Sequence, residues 1–189
     1  MDPKAVRDAL ARLARLAEAT AGQADAIVSL AARYQATLAG GGTLFFAGNG
    51  GSAATVQHVA TEYVVRYQRP GRGLAAIALT ADSALLTAAG NDLGFEQVFA
   101  RQVEALCRGD DLLVLHSTSG ESPNLIAAAL AARRRGIGVV AHLGRGGGRL
   151  RDLVDEALVI DSDETSRIQE LHLAVEHCIV GMIEEGGMR

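Results

Sequence analysis

The residues best suited to chemistry gather in one stretch, Gly48-Asn49-Gly50-Gly51-Ser52, with His58 and Glu62 a little further on. Glycines let a backbone approach a ligand closely, amide N–H groups point outward, and a helix N-terminus favours negative charge. Such a junction can cradle a phosphate, with Ser52 placed to cap the helix. His58 and Glu62 stand four residues apart and so share one helix face. By itself the stretch reads equally well as a tight turn ahead of an exposed, solvated pair.

A second junction is Ser117-Thr118-Ser119-Gly120-Glu121-Ser122. Its hydroxyls and amides suit phosphate or sugar hydroxyls. Ser122 can cap the helix that starts at Pro123, a residue favoured in a first turn. The plain alternative is a capped helix start with ordinary loop serines.

Both junctions need strands behind them. Apolar runs predict strands at 43–47, 74–79, 112–116, 138–143 and 157–160. Helical spacing predicts two helices over 3–39 with a break at Thr20-Ala21-Gly22. Further helices are expected from Ser52, over 81–89 and closed by Gly90-Asn91-Asp92, and over 95–106 with Phe95 and Leu106 on the buried face. The remaining ones are 123–135, a short helix or turn at 150–154, and 165–185, with Thr165 at a capping-box start. This alternation predicts an α/β fold: a doubly wound, five-stranded parallel sheet of flavodoxin-like type with N-terminal helices. Ligands of such sheets bind at the carboxyl ends of the strands, near a topological switch point, where both junctions lie. The first two helices carry Ala and Leu on nearly all sides, which predicts burial on more than one face, against the sheet or in an intersubunit bundle. His142 and His172 read as structural histidines in a strand and a helix.

The chain has 189 residues, 49% hydrophobic and 21% charged, as expected of a globular protein with a sizeable core. Aromatics are 4% with no Trp, so the core is expected to consist of Ala, Leu, Val and Ile. A net charge of −4 argues against general nucleic-acid binding. Cys107 and Cys178 have neither metal spacing nor a disulfide framework, which predicts a reduced, cytoplasmic protein. No apolar signal core follows Met1, and no run is apolar enough to span a membrane.

With Arg167-Ile168-Gln169-Glu170-Leu171-His172 and His177, the two junctions complete a three-part pattern. It resembles the sugar isomerase (SIS) family and, within it, the phosphoheptose isomerases. The likeness covers nearly the whole chain, read as one SIS domain over 1–189 with residues 1–40 as a helical extension. It implies interconversion of sedoheptulose 7-phosphate and D-glycero-D-manno-heptose 7-phosphate in a homotetramer, with no nucleic acid or membrane partner. It also implies a Zn2+ site at His58, Glu62, Gln169 and His177, with Glu62 and His177 as base and acid. Substrate contacts are expected at Asn49, Gly50, Gly51, Ser52, Glu62, Asn91, Asp92, Ser117, Thr118, Ser119, Ser122 and Gln169. The Glu121-Ser122-Pro123 and Gly146-Gly147-Gly148 segments, and Tyr63 after Glu62, are local departures from the pattern. Two other functions share it: a non-catalytic SIS regulator of replication initiation, and an isomerase of another phosphosugar.

The chemistry expected of these residues is aldose–ketose isomerisation. It needs a base to move a proton between adjacent carbons, an acid near the carbonyl, and stabilisation of the developing enediolate. Two His, one Glu and one amide oxygen suit zinc, although amide ligands are uncommon. Glu62 cannot be a tight ligand and a free base at the same moment.

Overall fold

The computed structural model describes residues 1–188. Its centre is a five-stranded, all-parallel sheet in the order β2-β1-β3-β4-β5. The strands are β1 (Leu44–Gly48), β2 (Ala76–Ala78), β3 (Leu112–Ser117), β4 (Gly138–Gly144) and β5 (Glu156–Ile160). The switch point falls between β1 and β3, whose register pairs Gly48 with His116. The two glycine- and serine-bearing loops therefore leave neighbouring strands side by side, as expected of a flavodoxin-like sheet.

Helices cover both faces because alternate strand residues point to opposite sides. Leu44 and Phe46 face a core shared with α2 (Ala24–Ala39), α3 (Gly51–Val64) and α7 (Thr165–Glu185). Phe45 and Ala47 face a second core shared with α4 (Ser83–Asp92), α5 (Ala100–Leu106) and α6 (Pro123–Arg134). Apart from Phe45, Phe46, Phe99, Tyr34 and Tyr63 these cores are aliphatic, as the low aromatic content requires.

Local signals set the helix ends. Asp2 caps α1 (Pro3–Ala21) by accepting the Lys4 N–H at 2.8 Å, with Pro3 in the first turn. Asp82 caps α4 through the Leu85 N–H at 2.9 Å. The break between α1 and α2 falls at Gly22-Gln23, and Gly40 follows the end of α2.

Several expectations are corrected. The second strand shrinks to Ala76–Ala78 because it is an edge strand, and its Ile77 faces solvent. Helix α4 runs through Gly90 and Asn91 to Asp92. The expected helix over 95–106 is a 3-10 turn at Phe95–Gln97 followed by α5. Phe95 in that turn and Leu106 at the end of α5 are exposed, while Val98, Phe99 and Val103 are buried. Ser52 is the second residue of α3, and Glu164 rather than Thr165 caps α7 without a side-chain bond. Ser122 occupies its cap position with extended backbone but no side-chain bond. Helix α1 touches the core through Leu13 and Leu16, leaving Val6 and Leu10 exposed. Among the described residues no helix is long and apolar enough to cross a membrane.

Candidate active site

Helices α3 and α7 each follow a parallel strand, so both run away from the carboxyl ends of the sheet, packed side by side. At their upstream ends the Gln169 amide lies against Gly51, close enough that a Cβ there would overlap it. Two to three turns further down, three side chains converge. Glu62 Oε1 lies 3.3 Å from His58 Nε2 and 3.2 Å from His177 Nε2, and the two Nε2 atoms are 3.4 Å apart. The Glu62 side chain is 12% exposed, against 53% for His58 and 32% for His177, so the carboxylate sits at the floor and the imidazoles at the rim.

The donor set of this cluster fits a transition metal. Zinc bonds of about 2.0–2.1 Å place tetrahedral ligand atoms about 3.3–3.4 Å apart, close to the separations found. Gln169, the fourth residue of the expected ligand set, is not brought to the cluster within one chain. From 169 to 177 the helix rises about 12 Å, and the Gln169 amide is held at the start of α3.

The candidate phosphate cradle is built from the two loops. Gly50 has φ +55 and ψ −120, which only glycine adopts without strain, and it turns the backbone into α3. Asn49 and Asn124 exchange two amide hydrogen bonds, each 2.9 Å, clasping the loop after β1 to the first turn of α6. Ser117 is buried, and its Oγ accepts the Gly120 N–H at 3.0 Å; the Ser119 Oγ accepts the Glu121 N–H at 3.2 Å. Gly120 has φ +68 and packs on the Gly147 carbonyl, so no side chain fits between the second loop and the glycine loop after β4. Ser52 is buried, Thr118, Ser119 and Ser122 are half-buried, and Asn91 and Asp92 are exposed at the end of α4, where the Asn91 amide donates to Asp92 at 2.7 Å.

Sequence reasoning missed three features. Tyr67 stacks on His177 with ring centroids 5.4 Å apart and an interplanar angle of 19°. Its position is fixed by buried Glu184, whose carboxylate accepts the N–H groups of Tyr67, Gln68 and Arg69, each at 3.0 Å. Asn124, the partner of Asn49, was not singled out. The third feature is a buried polar group of Tyr34, His116, His142, His172 and Glu176. Its signal was visible: His116, His142 and Glu176 each interrupt an apolar pattern. Burial pushes the His116 and His172 imidazoles below their ordinary range. Burial alone would raise the Glu176 carboxyl, but His142 and His116 outweigh it and hold the carboxyl well below the usual range. Burial, then the Glu176 charge, pushes the Tyr34 phenol up.

A doubly wound sheet with a glycine cradle and a serine loop on adjacent strand ends defines a class. The family model described as "SIS domain" matches residues 8–144. A phosphoheptose isomerase of Roseiflexus sp. strain RS-1 is 50% identical over 162 residues, 86% of this chain and 82% of that one. Solved phosphoheptose isomerases from Neisseria gonorrhoeae (38% identity, TM-score 0.91, 96% of this chain and 98% of that one) and Francisella tularensis (33%, 0.93, 96% and 97%) share the whole architecture. The chain belongs to the SIS-domain family and, within it, to the phosphoheptose isomerases. It is an enzyme of that isomerase class, and the reading as a non-catalytic regulator is not favoured.

Proposed function

We propose that the protein interconverts sedoheptulose 7-phosphate and D-glycero-D-manno-heptose 7-phosphate through an enediolate. The observation that carries this is the Glu62 carboxylate held between His58 and His177, at 3.3 and 3.2 Å, two to three turns along α3 from the phosphate cradle. An open-chain heptose carries its phosphate and its reacting carbons at opposite ends. With the phosphate at Gly50, Gly51, Ser52 and the Ser117–Ser122 loop, C1 and C2 extend toward Glu62.

In this reading Glu62 takes the proton from one carbon and returns it to the neighbouring one. His177, oriented by the stacked Tyr67, exchanges a proton with the carbonyl and hydroxyl oxygens. His58, Glu62 and His177 would hold a divalent metal, with zinc the best fit to the donor set, and Glu62 would come off it to act as the base. When bound, it supplies polarisation of the substrate oxygens. Asn49, Asn91, Asp92, Thr118 and Gln169 are taken as further substrate contacts. Gln169, set apart from the cluster in its own chain, is proposed to serve a neighbouring copy in a homotetramer. The proposal takes residues 1–189 as one SIS unit in the cytoplasm, with 1–40 as its helical extension.

The test is a direct assay on sedoheptulose 7-phosphate, with the aldose product drawn off by a heptose 7-phosphate kinase. Turnover is the expected result. Inactivity on this ketose, alongside activity on a shorter ketose phosphate, would reassign the enzyme to another phosphosugar.

A further inference from the structure

Beneath the sheet's carboxyl ends, on the α7 side, lies a second cluster that the isomerase chemistry does not use. Glu176 precedes His177 on α7 but turns toward the sheet, where it is fully buried. Its Oε1 lies 2.8 Å from His116 Nε2, 3.1 Å from His142 Nε2 and 3.1 Å from the Tyr34 hydroxyl. The Tyr34 hydroxyl is also 3.1 Å from His142 Nε2. All four side chains come from different elements: α2, β3, β4 and α7.

A carboxylate removed from water requires compensation, and an isolated buried charge is among the most destabilising features a core can hold. The groups around Oε1 are two imidazoles and a phenol, none with a fixed positive charge. The second carboxylate oxygen and the Nδ1 atoms of His116 and His142 are buried without a hydrogen-bond partner. Hydrogen bonding within the cluster therefore leaves three of its buried polar atoms without partners. The His116, His142 and Glu176 ligand atoms all lie within 4.8 Å of one another, and the contacts to Oε1, at 2.8–3.1 Å, need only a few tenths of an ångström of expansion to reach the ligand spacing of about 3.3 Å in a tetrahedral zinc site.

We propose that Tyr34, His116, His142 and Glu176 form a second, structural site for a divalent cation of the zinc class. Two imidazoles with one carboxylate favour zinc or its neighbours over calcium and magnesium, which take oxygen ligands. Full burial makes it a closed site, with four protein ligands and no open position for substrate. It links α2, β3, β4 and α7, and it is filled as the chain folds, since no ligand atom reaches solvent.

The test uses the untagged full chain carrying His58→Ala and His177→Ala, grown with added zinc, so that the solvent-facing cluster no longer contributes. Metal analysis by mass spectrometry should find one zinc per chain. Adding His116→Leu, His142→Leu and Glu176→Leu should abolish it while preserving the fold, because buried ionic clusters are often replaced by apolar residues without loss of stability. A double variant without zinc overturns the proposal, as does a quintuple variant that keeps it. Should the quintuple variant not fold, the double variant grown with cobalt decides. The strong visible absorption of four-coordinate Co2+ supports the site, and a weak six-coordinate spectrum or no cobalt overturns it.

Discussion

Glu62 and His177 meet at 3.2 Å across two helices that run in the same direction from the carboxyl ends of the sheet. Parallel helices bring residues together only when both lie at similar depth, so the pairing depends on the whole length of α3 and α7. For acid–base groups the usual contribution is about 100-fold or more. Glu62→Gln and His177→Ala should each lower turnover by at least that amount, with circular dichroism and melting little changed. Near-normal turnover in either variant removes that residue from the mechanism.

Phosphate recognition is expected to dominate binding. The cradle offers backbone N–H groups at the start of α3 and hydroxyls around Ser117–Ser122, all suited to an anion. Calorimetry should show sedoheptulose binding far more weakly than its 7-phosphate. Equal affinities would count against the cradle.

The separation of Gln169 from His177 gives a third prediction. If each amide serves a neighbouring copy, Gln169→Ala and His177→Ala proteins are each inactive alone. After subunit exchange their mixture should recover part of the wild-type rate, because some sites then receive both intact residues. Confirmed exchange without recovered activity would defeat the shared arrangement.

Glu184 anchors the loop that carries Tyr67. Glu184→Ala removes an acceptor for three backbone N–H groups. An unsatisfied buried group costs about 1–3 kcal/mol, so the urea midpoint should fall and turnover should drop as Tyr67 loses its hold on His177. An unchanged midpoint would mean that water replaces the carboxylate at no cost.

The two cysteines should differ in reactivity. Burial, with help from Asp111 and against Arg135, pushes the Cys107 thiol up to about 12. The folded state thus favours the neutral thiol. Its contribution to stability is complete below the unfolded value of about 8.5 and fades as pH rises from there toward about 12. At pH 9 iodoacetamide should modify exposed Cys178 and leave Cys107 intact until the chain is denatured. Peptide mapping checks this, and equal labelling of both thiols contradicts it.

Much of the fold was legible because its signals are local. The run Leu44–Ala47 is apolar on both faces, as a central parallel strand must be, and Gly50 marks a turn that other residues do not make. The edge strand was overestimated because Leu74 and Leu79 are apolar and buried at its ends, outside the register of Ala76–Ala78 with β1. Phe95 was misplaced because a 3-10 turn breaks the helical register that seemed to bury it. At the site, His58 and Glu62 were visible as a pair, four residues apart. The Tyr67 stack on His177 was not, because it depends on a loop held by a carboxylate 117 positions away. The Glu176 cluster joins four elements and has no local spacing at all.

The amide clasp between Asn49 and Asn124 has a consequence for selectivity. Because it forms when the chain folds, the two loops are ordered before any ligand arrives. Fixing a residue's backbone costs about 1–2 kcal/mol, and here that cost falls on folding rather than on binding. A phosphate therefore meets donors that need little rearrangement, whichever sugar is attached to it. Such a cradle would be generous by construction, and on the proposed reaction discrimination among sugars is expected to rest with the opposite end of the site, toward His58, Glu62 and His177.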